Sequence, residues 1–79
     1  MARKQPIPGD LIDGGTVVAS VVLHDEPDEP TSWVLLLLRR SAPYYEVIEL
    51  TENGDVTSIG EARNIVPAVQ IYADNGGDY

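Results

Sequence analysis

The feature that most constrains this chain is the apolar run WVLLLL at residues 33–38, which two arginines close. Successive side chains of a β-strand point to opposite faces, so Trp33 and Leu35 share one face and Val34 and Leu36 share the other. A strand with one solvent-exposed face would alternate apolar and polar residues, whereas all six residues of this run are apolar. We therefore predict a strand over 31–40 with two apolar faces that both need cover. A leucine-rich helix is the alternative, but the run is short and its surroundings are β-rich.

Three further segments have strand patterns. Residues 16–24 are rich in β-branched side chains, and successive side chains are expected to alternate between the two faces of a strand. One face should carry Val17, Ala19, Val21 and Leu23. Residues 44–51 alternate as well. Asn53-Gly54 follows, and Asn-Gly as a two-residue loop predicts a type I′ hairpin and a short fourth strand over 55–59. Residues 60–63 are expected to break the sheet, and residues 10–15 form either a short strand or a turn.

The C-terminal segment carries a helical pattern. One apolar stripe at i, i+3, i+4 and i+7 is made by Ile65, Ala68, Val69 and Tyr72. Asn64 is predicted to be the N-cap of this helix. Pro67 falls in the first turn, where its missing N–H leaves no helical hydrogen bond unmade. Gly76-Gly77 is suited to the C-terminal end of the helix. The competing prediction is a fifth strand, because residues 68–72 also alternate.

These elements predict an α+β fold, a four-stranded antiparallel β-meander with a C-terminal helix packed on one face. The alternative is a small SH3-like β-barrel without a substantial helix. Residues 1–9 are expected to be a flexible N-terminal arm and residues 10–79 a single small domain. The helix covers one face of the strand over 31–40. Barrel closure or a second copy of the chain has to cover the other, and we predict a homodimer.

Composition excludes several classes of function. The 13 acidic and 5 basic residues give a formal charge of −8, which argues against direct nucleic-acid binding and suits a basic partner or plain solubility. No cysteine is present, so disulfides and thiolate sites are excluded. The apolar run is far shorter than the ~20 residues that span a bilayer. The basic start is followed by Pro6 and Pro8 instead of an apolar stretch, so we expect a non-exported, cytoplasmic protein without membrane contact.

Catalytic and cofactor motifs are absent from the sequence. His24 beside Asp25 and Glu26 is the one place where a base and carboxylates cluster, but no nucleophile stands at a useful spacing. The acidic residues of the loop lack the spacing of an EF-hand. The glycine pairs lack the spacing of nucleotide-binding loops. We therefore predict no enzyme, no cofactor and no metal site.

Partner binding is the remaining prediction. Trp33, Tyr44 and Tyr45 are candidate aromatic contacts, because such side chains bury much area while keeping a polar tip. The alternative for Trp33 is a place in the core. The loop contributes four acidic candidates for the same surface: Asp25, Glu26, Asp28 and Glu29. Arg39 and Arg40 are candidates for binding a phosphate; the alternative is that they are charged residues that protect the edge of the sheet.

The chain resembles the small orphan proteins encoded by phages of GC-rich actinobacteria. The resemblance lies in its length, its acidic balance, and the endings NIVPAV at 64–69 and DNGGDY at 74–79. It implies a non-enzymatic accessory protein that binds and modulates a host or phage protein.

Three hypotheses follow. The leading one is a protein-interaction module. The first alternative is an acidic nucleic-acid mimic that inhibits a DNA-binding protein. The second is a small-molecule sponge for a nucleotide, with the site at a subunit interface and phosphates held by Arg39, Arg40 and Arg63.

Overall fold

The computed structural model describes residues 4–76 and shows an α+β fold, a curled antiparallel sheet followed by one helix. The elements are β1 (Leu11–Ile12), β2 (Gly15–His24), β3 (Ser32–Leu38), β4 (Tyr45–Thr51), β5 (Val56–Ala62) and α1 (Ile65–Asp74). The strand order in the sheet follows the sequence order. The predicted antiparallel sheet and C-terminal helix are confirmed, but the predicted strand number of four is wrong. The additional strand is β1, in the segment for which the sequence left strand and turn open.

The first hairpin turns at Asp13-Gly14. Both residues have positive φ, 50° and 79°, and the flanking residues Ile12 and Gly15 are paired. This is the signature of a two-residue type I′ loop, whose twist matches that of the flanking strands. Gly15 is needed for a different reason: a Cβ there would lie 3.2 Å from the Cβ of Leu37.

The type I′ turn predicted at Asn53-Gly54 is wrong. Only Gly54 has positive φ, at 95°. The N–H of Thr51 donates to the carbonyl of Asp55 at 2.9 Å, and the N–H of Gly54 donates to the carbonyl of Thr51 at 2.9 Å. These bonds define a three-residue loop with a left-handed glycine and a bulge. A glycine in this conformation suits either loop length, so the dipeptide alone did not distinguish them.

The side chains of β3 divide between two hydrophobic clusters, as the alternation predicts. The first cluster contains Ile12, Val17, Trp33, Leu35, Leu37, Ile48 and Leu50. The second is centred on Val34, Leu36, Val47, Ala68 and Tyr72. Because β3 is the middle strand, with neighbours on both edges and cover on both faces, all its residues except Leu38 are buried.

The helix covers the second cluster. It begins after Asn64, whose backbone is extended at φ −121° and ψ 154°, although the side chain makes no capping hydrogen bond. The predicted stripe is only partly right: Ala68 and Tyr72 are buried, whereas Ile65 is 39 % exposed and Ile71 packs against the sheet.

Strand β5 continues through Gly60 to Ala62, so the break predicted at 60–63 comes too early. The strand bulges at Ile59, because Val47 pairs with Gly60 while the next residue, Ile48, pairs with Ser58. Gly60 lies directly beneath the helix, and a Cβ there would be 3.2 Å from Cγ2 of Ile71. The glycine that suggested a strand end is instead a position where the helix packs close against the sheet.

The first cluster is covered from within the chain. The β1 hairpin contributes Ile12, and Pro6 is buried beside β2, where the hydroxyl of Ser20 donates to its carbonyl at 2.6 Å. Ser20 is paired with Leu35, so this contact lies on the first-cluster face. Residues 4–9, predicted as a flexible arm, are thus hydrogen-bonded to β2; residues 1–3 of that arm lie outside the described chain. The face of β3 for which the sequence suggested a second copy of the chain as cover is therefore buried within a single chain.

A bulge in β2 changes which side chains share a face. Val17 pairs with Leu37 and Ala19 pairs with Leu36, so Val18 is the extra residue. Val17 consequently belongs to the first cluster, whereas the later residues Ala19, Val21 and Leu23 pack against the second. The prediction that all four share one face is wrong for Val17, because one inserted residue shifts the alternation.

Candidate functional site

The strand register brings four apolar residues and Thr16 into one row across all five strands. The row runs through Leu11, Thr16, Leu38, Tyr45 and Ala62, each paired with the next. Paired residues project to the same face, and Leu38 shares its face with Leu36, so the row lies on the helix side of the sheet. Leu11 is 78 % exposed and Leu38 is 42 % exposed. At about 4.8 Å between strands, the row extends over roughly 20 Å.

Three other exposed apolar side chains lie at the same end of the sheet. They are Tyr44 (45 % exposed), Ile65 (39 %) and Val66 (64 %). Tyr44 directly precedes the Tyr45 of the row, and α1 begins three residues after Ala62. We call the exposed residues Leu11, Leu38, Tyr44, Ile65 and Val66 the apolar end. Exposed apolar side chains gathered at one end of a small domain are typical of interaction sites.

The opposite end of the sheet is acidic. The loop at 25–31 and the turn at 52–55 meet there: the Glu52 N–H donates to the Thr31 carbonyl at 2.8 Å, and the Thr31 N–H donates to a Glu52 carboxylate oxygen at 3.0 Å. The two segments contain six acidic residues and no lysine or arginine. We call these six residues the acidic end: Asp25, Glu26, Asp28, Glu29, Glu52 and Asp55. Their six negative charges correspond to three quarters of the net formal charge of −8.

The predicted partner-binding residues do not form one patch. Trp33 is 4 % exposed and belongs to the first cluster, so its side chain is in the core. Tyr44 is exposed at the apolar end, whereas Tyr45 is half-buried against the helix-covered cluster. The predicted acidic residues of the loop are all exposed, but at the acidic end. Seven residues of β3, at about 3.3 Å each, put roughly 20 Å between the two ends.

Arg39 is part of an ion-pair network that links the sheet from one side to the other. Its Nη1 donates to the carbonyl of Asp13 at 2.7 Å, and its Nη2 lies 3.4 Å from the Asp13 carboxylate. Its Nε donates to Oε1 of Glu46 at 2.8 Å, and Nη2 forms a second bond to the same oxygen. The other carboxylate oxygen of Glu46 accepts from the hydroxyl of Ser58 at 3.1 Å. The network therefore joins the first turn, β4 and β5.

The hydrogen bond and charge of Glu46 raise the pKa of Arg39 above its ordinary value, with Asp13 adding to the effect. The guanidinium is thus occupied by two carboxylates of the same chain. Of the three arginines considered for a nucleotide phosphate, Arg40 and Arg63 are exposed and Arg39 is engaged.

His24, Asp25 and Glu26 are exposed at the end of β2. Between residues 4 and 76, no three or more His, Cys, Asp and Glu side chains are grouped so that they could hold a metal ion. The same part of the chain has no pocket. None of the helices formed by these residues is both long enough and apolar enough to cross a membrane.

No protein-family model, curated protein or solved structure matches the chain.

Reading the sequence alone missed the apolar end. The residues that form it are spread from position 11 to position 66, and only the pairing of five strands brings them together. One local signal was available. Asp13-Gly14 is a recognised type I′ dipeptide, and its hairpin would have placed Leu11 opposite Thr16.

Proposed function

We propose that this protein is a non-enzymatic interaction module, an accessory protein that binds another protein and modulates it. The observation that supports the proposal is the apolar row that the register builds on the helix side of the sheet. Its side chains come from separate strands: Tyr45 and Ala62 pack against the cluster that α1 covers, whereas Leu11 and Leu38 stay exposed.

The energetic argument rests on surface that folding leaves exposed. Fully burying an aliphatic side chain is worth about 1.5–3 kcal/mol, and Leu11 and Val66 are 78 % and 64 % exposed in the single chain. A partner that covers the apolar end gains most of that free energy. The buried Trp33 takes no part in this surface, and Tyr44 is the aromatic residue that does.

A homodimer remains a prediction, but on different grounds from those that the sequence suggested. The first-cluster face of β3 is covered within one chain, so it no longer calls for a second copy. The apolar end is the surface that a dimer would bury.

The acidic end supports a second candidate, inhibition of a DNA-binding protein by occupying its basic cleft. Six carboxylates without a neighbouring lysine or arginine in their segments are the supporting observation. They are grouped at one end and not spread along a face, so such a mimic would engage the cleft end-on. This candidate predicts an affinity that falls steeply with added salt.

The test compares matched variants at the two ends of the full-length protein. L11S/V66S removes exposed apolar surface, and E26Q/E29Q removes exposed charge; neither pair touches a buried side chain. Partners retained by the wild type are identified and then titrated with each purified variant. We expect L11S/V66S to weaken binding by at least about tenfold, a loss of about 1.4 kcal/mol, and E26Q/E29Q to change it by less than about twofold.

The opposite ranking would replace the leading proposal with the nucleic-acid mimic. Equal binding by all three proteins would refute both. Light scattering on the wild type and on L11S/V66S tests the homodimer separately: the mass should fall to that of one chain only in the variant.

A further inference from the structure

The last strand of the sheet has an open outer edge. β5 pairs with β4 on one side, and no other strand of the described chain pairs with it. Residues 55–58 are exposed. The other edge of the sheet is less accessible, because β1 and residues 4–10 lie along part of β2, and β2 is bulged twice. Bulges and covering segments are common ways to block an edge.

The hydrogen-bonding direction of the β5 edge follows from the turn. The N–H of Thr51 donates across to Asp55, so the backbone of Thr51 faces β5. Direction alternates along an antiparallel strand, so Glu49 faces β5 and bonds its partner Thr57. The backbone groups of Val56 and Ser58 consequently point away from β4. They offer two N–H donors and two carbonyl acceptors at the spacing that an added strand requires.

The charge around this edge selects the occupant. Residues 45–62, which comprise β4, the turn and β5, contain five acidic residues and no lysine or arginine. Asp55 and Glu61, at the two ends of β5, are exposed. A second copy pairing through the same edge would bring the same acidic segment, with no lysine or arginine in residues 45–62 to offset its charge. An extended segment with lysine or arginine side chains would meet opposite charge.

We propose that the outer edge of β5, at residues 56–58, binds an extended basic segment of a partner protein as an added strand. Main-chain hydrogen bonds supply the affinity, and the carboxylates supply the preference for lysine and arginine. This site is separate from the apolar end, so either proposal can fail without the other.

The probe is a blocked seven-residue peptide of alternating lysine and valine, titrated into the full-length protein and followed by amide NMR shifts. We expect shifts centred on residues 55–61 and slower hydrogen exchange at the amides of Val56 and Ser58. Two control peptides separate the contributions. One replaces lysine with glutamate, and the other keeps the lysines but is N-methylated on alternate residues, so that it cannot complete the ladder.

The matched protein variants are V56P and V56T. Proline removes the outward N–H at a position where an edge strand tolerates it, and threonine keeps the N–H and the β-branched shape. Loss of a hydrogen bond at the edge should weaken binding of the lysine peptide about tenfold in V56P, with less than about a twofold change in V56T. If V56P does not fold, the N-methylated peptide tests the same bonds on the wild-type chain.

Three results would overturn the proposal. Equal binding of the N-methylated peptide would mean that charge alone holds the lysine peptide. Equal binding of the glutamate peptide would remove the role of the carboxylates. Absence of shifts at 55–61 with the lysine peptide at about 1 mM, an affinity of only about 4 kcal/mol, would remove the site.

Discussion

Replacing Gly60 with alanine tests how the helix packs on the sheet. A Cβ at position 60 would lie 3.2 Å from Cγ2 and 3.3 Å from Cδ1 of Ile71, closer than the 3.5–4.0 Å or so of optimal carbon–carbon contacts. Overpacking of this kind costs about 1–3 kcal/mol. The substitution also restricts the unfolded chain, which stabilises the fold by about 0.4–1 kcal/mol. The balance is a net loss of about 0.5–2 kcal/mol.

The double-mutant cycle with Ile71→Ala gives the sharper result. Ile71→Ala removes Cγ2 and Cδ1, so the clash disappears while the effect on the unfolded chain stays. We therefore expect Gly60→Ala to destabilise the wild type and to stabilise the I71A protein, which is a change of sign. The coupling free energy between the two positions should be about 1–3 kcal/mol. Ile71→Val keeps Cγ2 and should give an intermediate value.

Urea unfolding followed by circular dichroism measures each free energy of unfolding, and thermal unfolding provides an independent check. For a domain of this size, 1 kcal/mol corresponds to about 4–8 °C in Tm. The same cost of Gly60→Ala in both backgrounds, or a gain in stability in the wild type, would refute the reasoning that glycine is required for the approach of Ile71.

Three further predictions, two of them with a matched control substitution, use the same unfolding assay. Gly54→Ala should lower the free energy of unfolding by about 1–2 kcal/mol, because a φ of 95° is unfavourable for residues with a Cβ. Asn53 has no positive φ, so Asn53→Ala should lower it clearly less. Equal losses for the two substitutions would contradict the three-residue loop. Glu46→Gln should lower the free energy of unfolding by about 1–3 kcal/mol, because the Glu46 carboxylate is largely buried against Arg39. Asp13→Asn should lower it by less than about 1 kcal/mol, because Asp13 is 58 % exposed. The reverse order would show that the first turn, and not β4, anchors Arg39. Ser32→Ala should be neutral or stabilising, because the buried hydroxyl has no hydrogen-bond partner within the described chain; a loss above about 1 kcal/mol would indicate a bond to that hydroxyl.

The sequence predicted best where a residue pattern acts locally. The two apolar faces of β3 follow from alternation alone, and the helix that begins after Asn64 follows from a 3.6-residue apolar period. Both are confirmed. The helix was right even though residues 68–72 also alternate, because the sheet offers a complementary apolar face for Ala68 and Tyr72.

The errors arise where tertiary contacts decide. A bulge at Val18 moves Val17 to the other face, and no residue in 16–24 announces the insertion. Gly60 suggested a break, but the strand continues through it because the helix needs the space above. The candidate surface had the same difficulty: Leu11 and Leu38 become neighbours in one row only through two successive strand pairings.

The second cluster, whose cover is the last element of the described chain, also has a consequence for synthesis on the ribosome. Each strand pairs with its neighbour in sequence, so hairpins can form one after another as the polypeptide emerges. Val34, Leu36 and Val47 nevertheless keep an apolar face in water until α1 leaves the exit tunnel. At about 5–20 residues per second, that interval lasts a few seconds. During it the exposed apolar face of the nascent sheet is prone to aggregation.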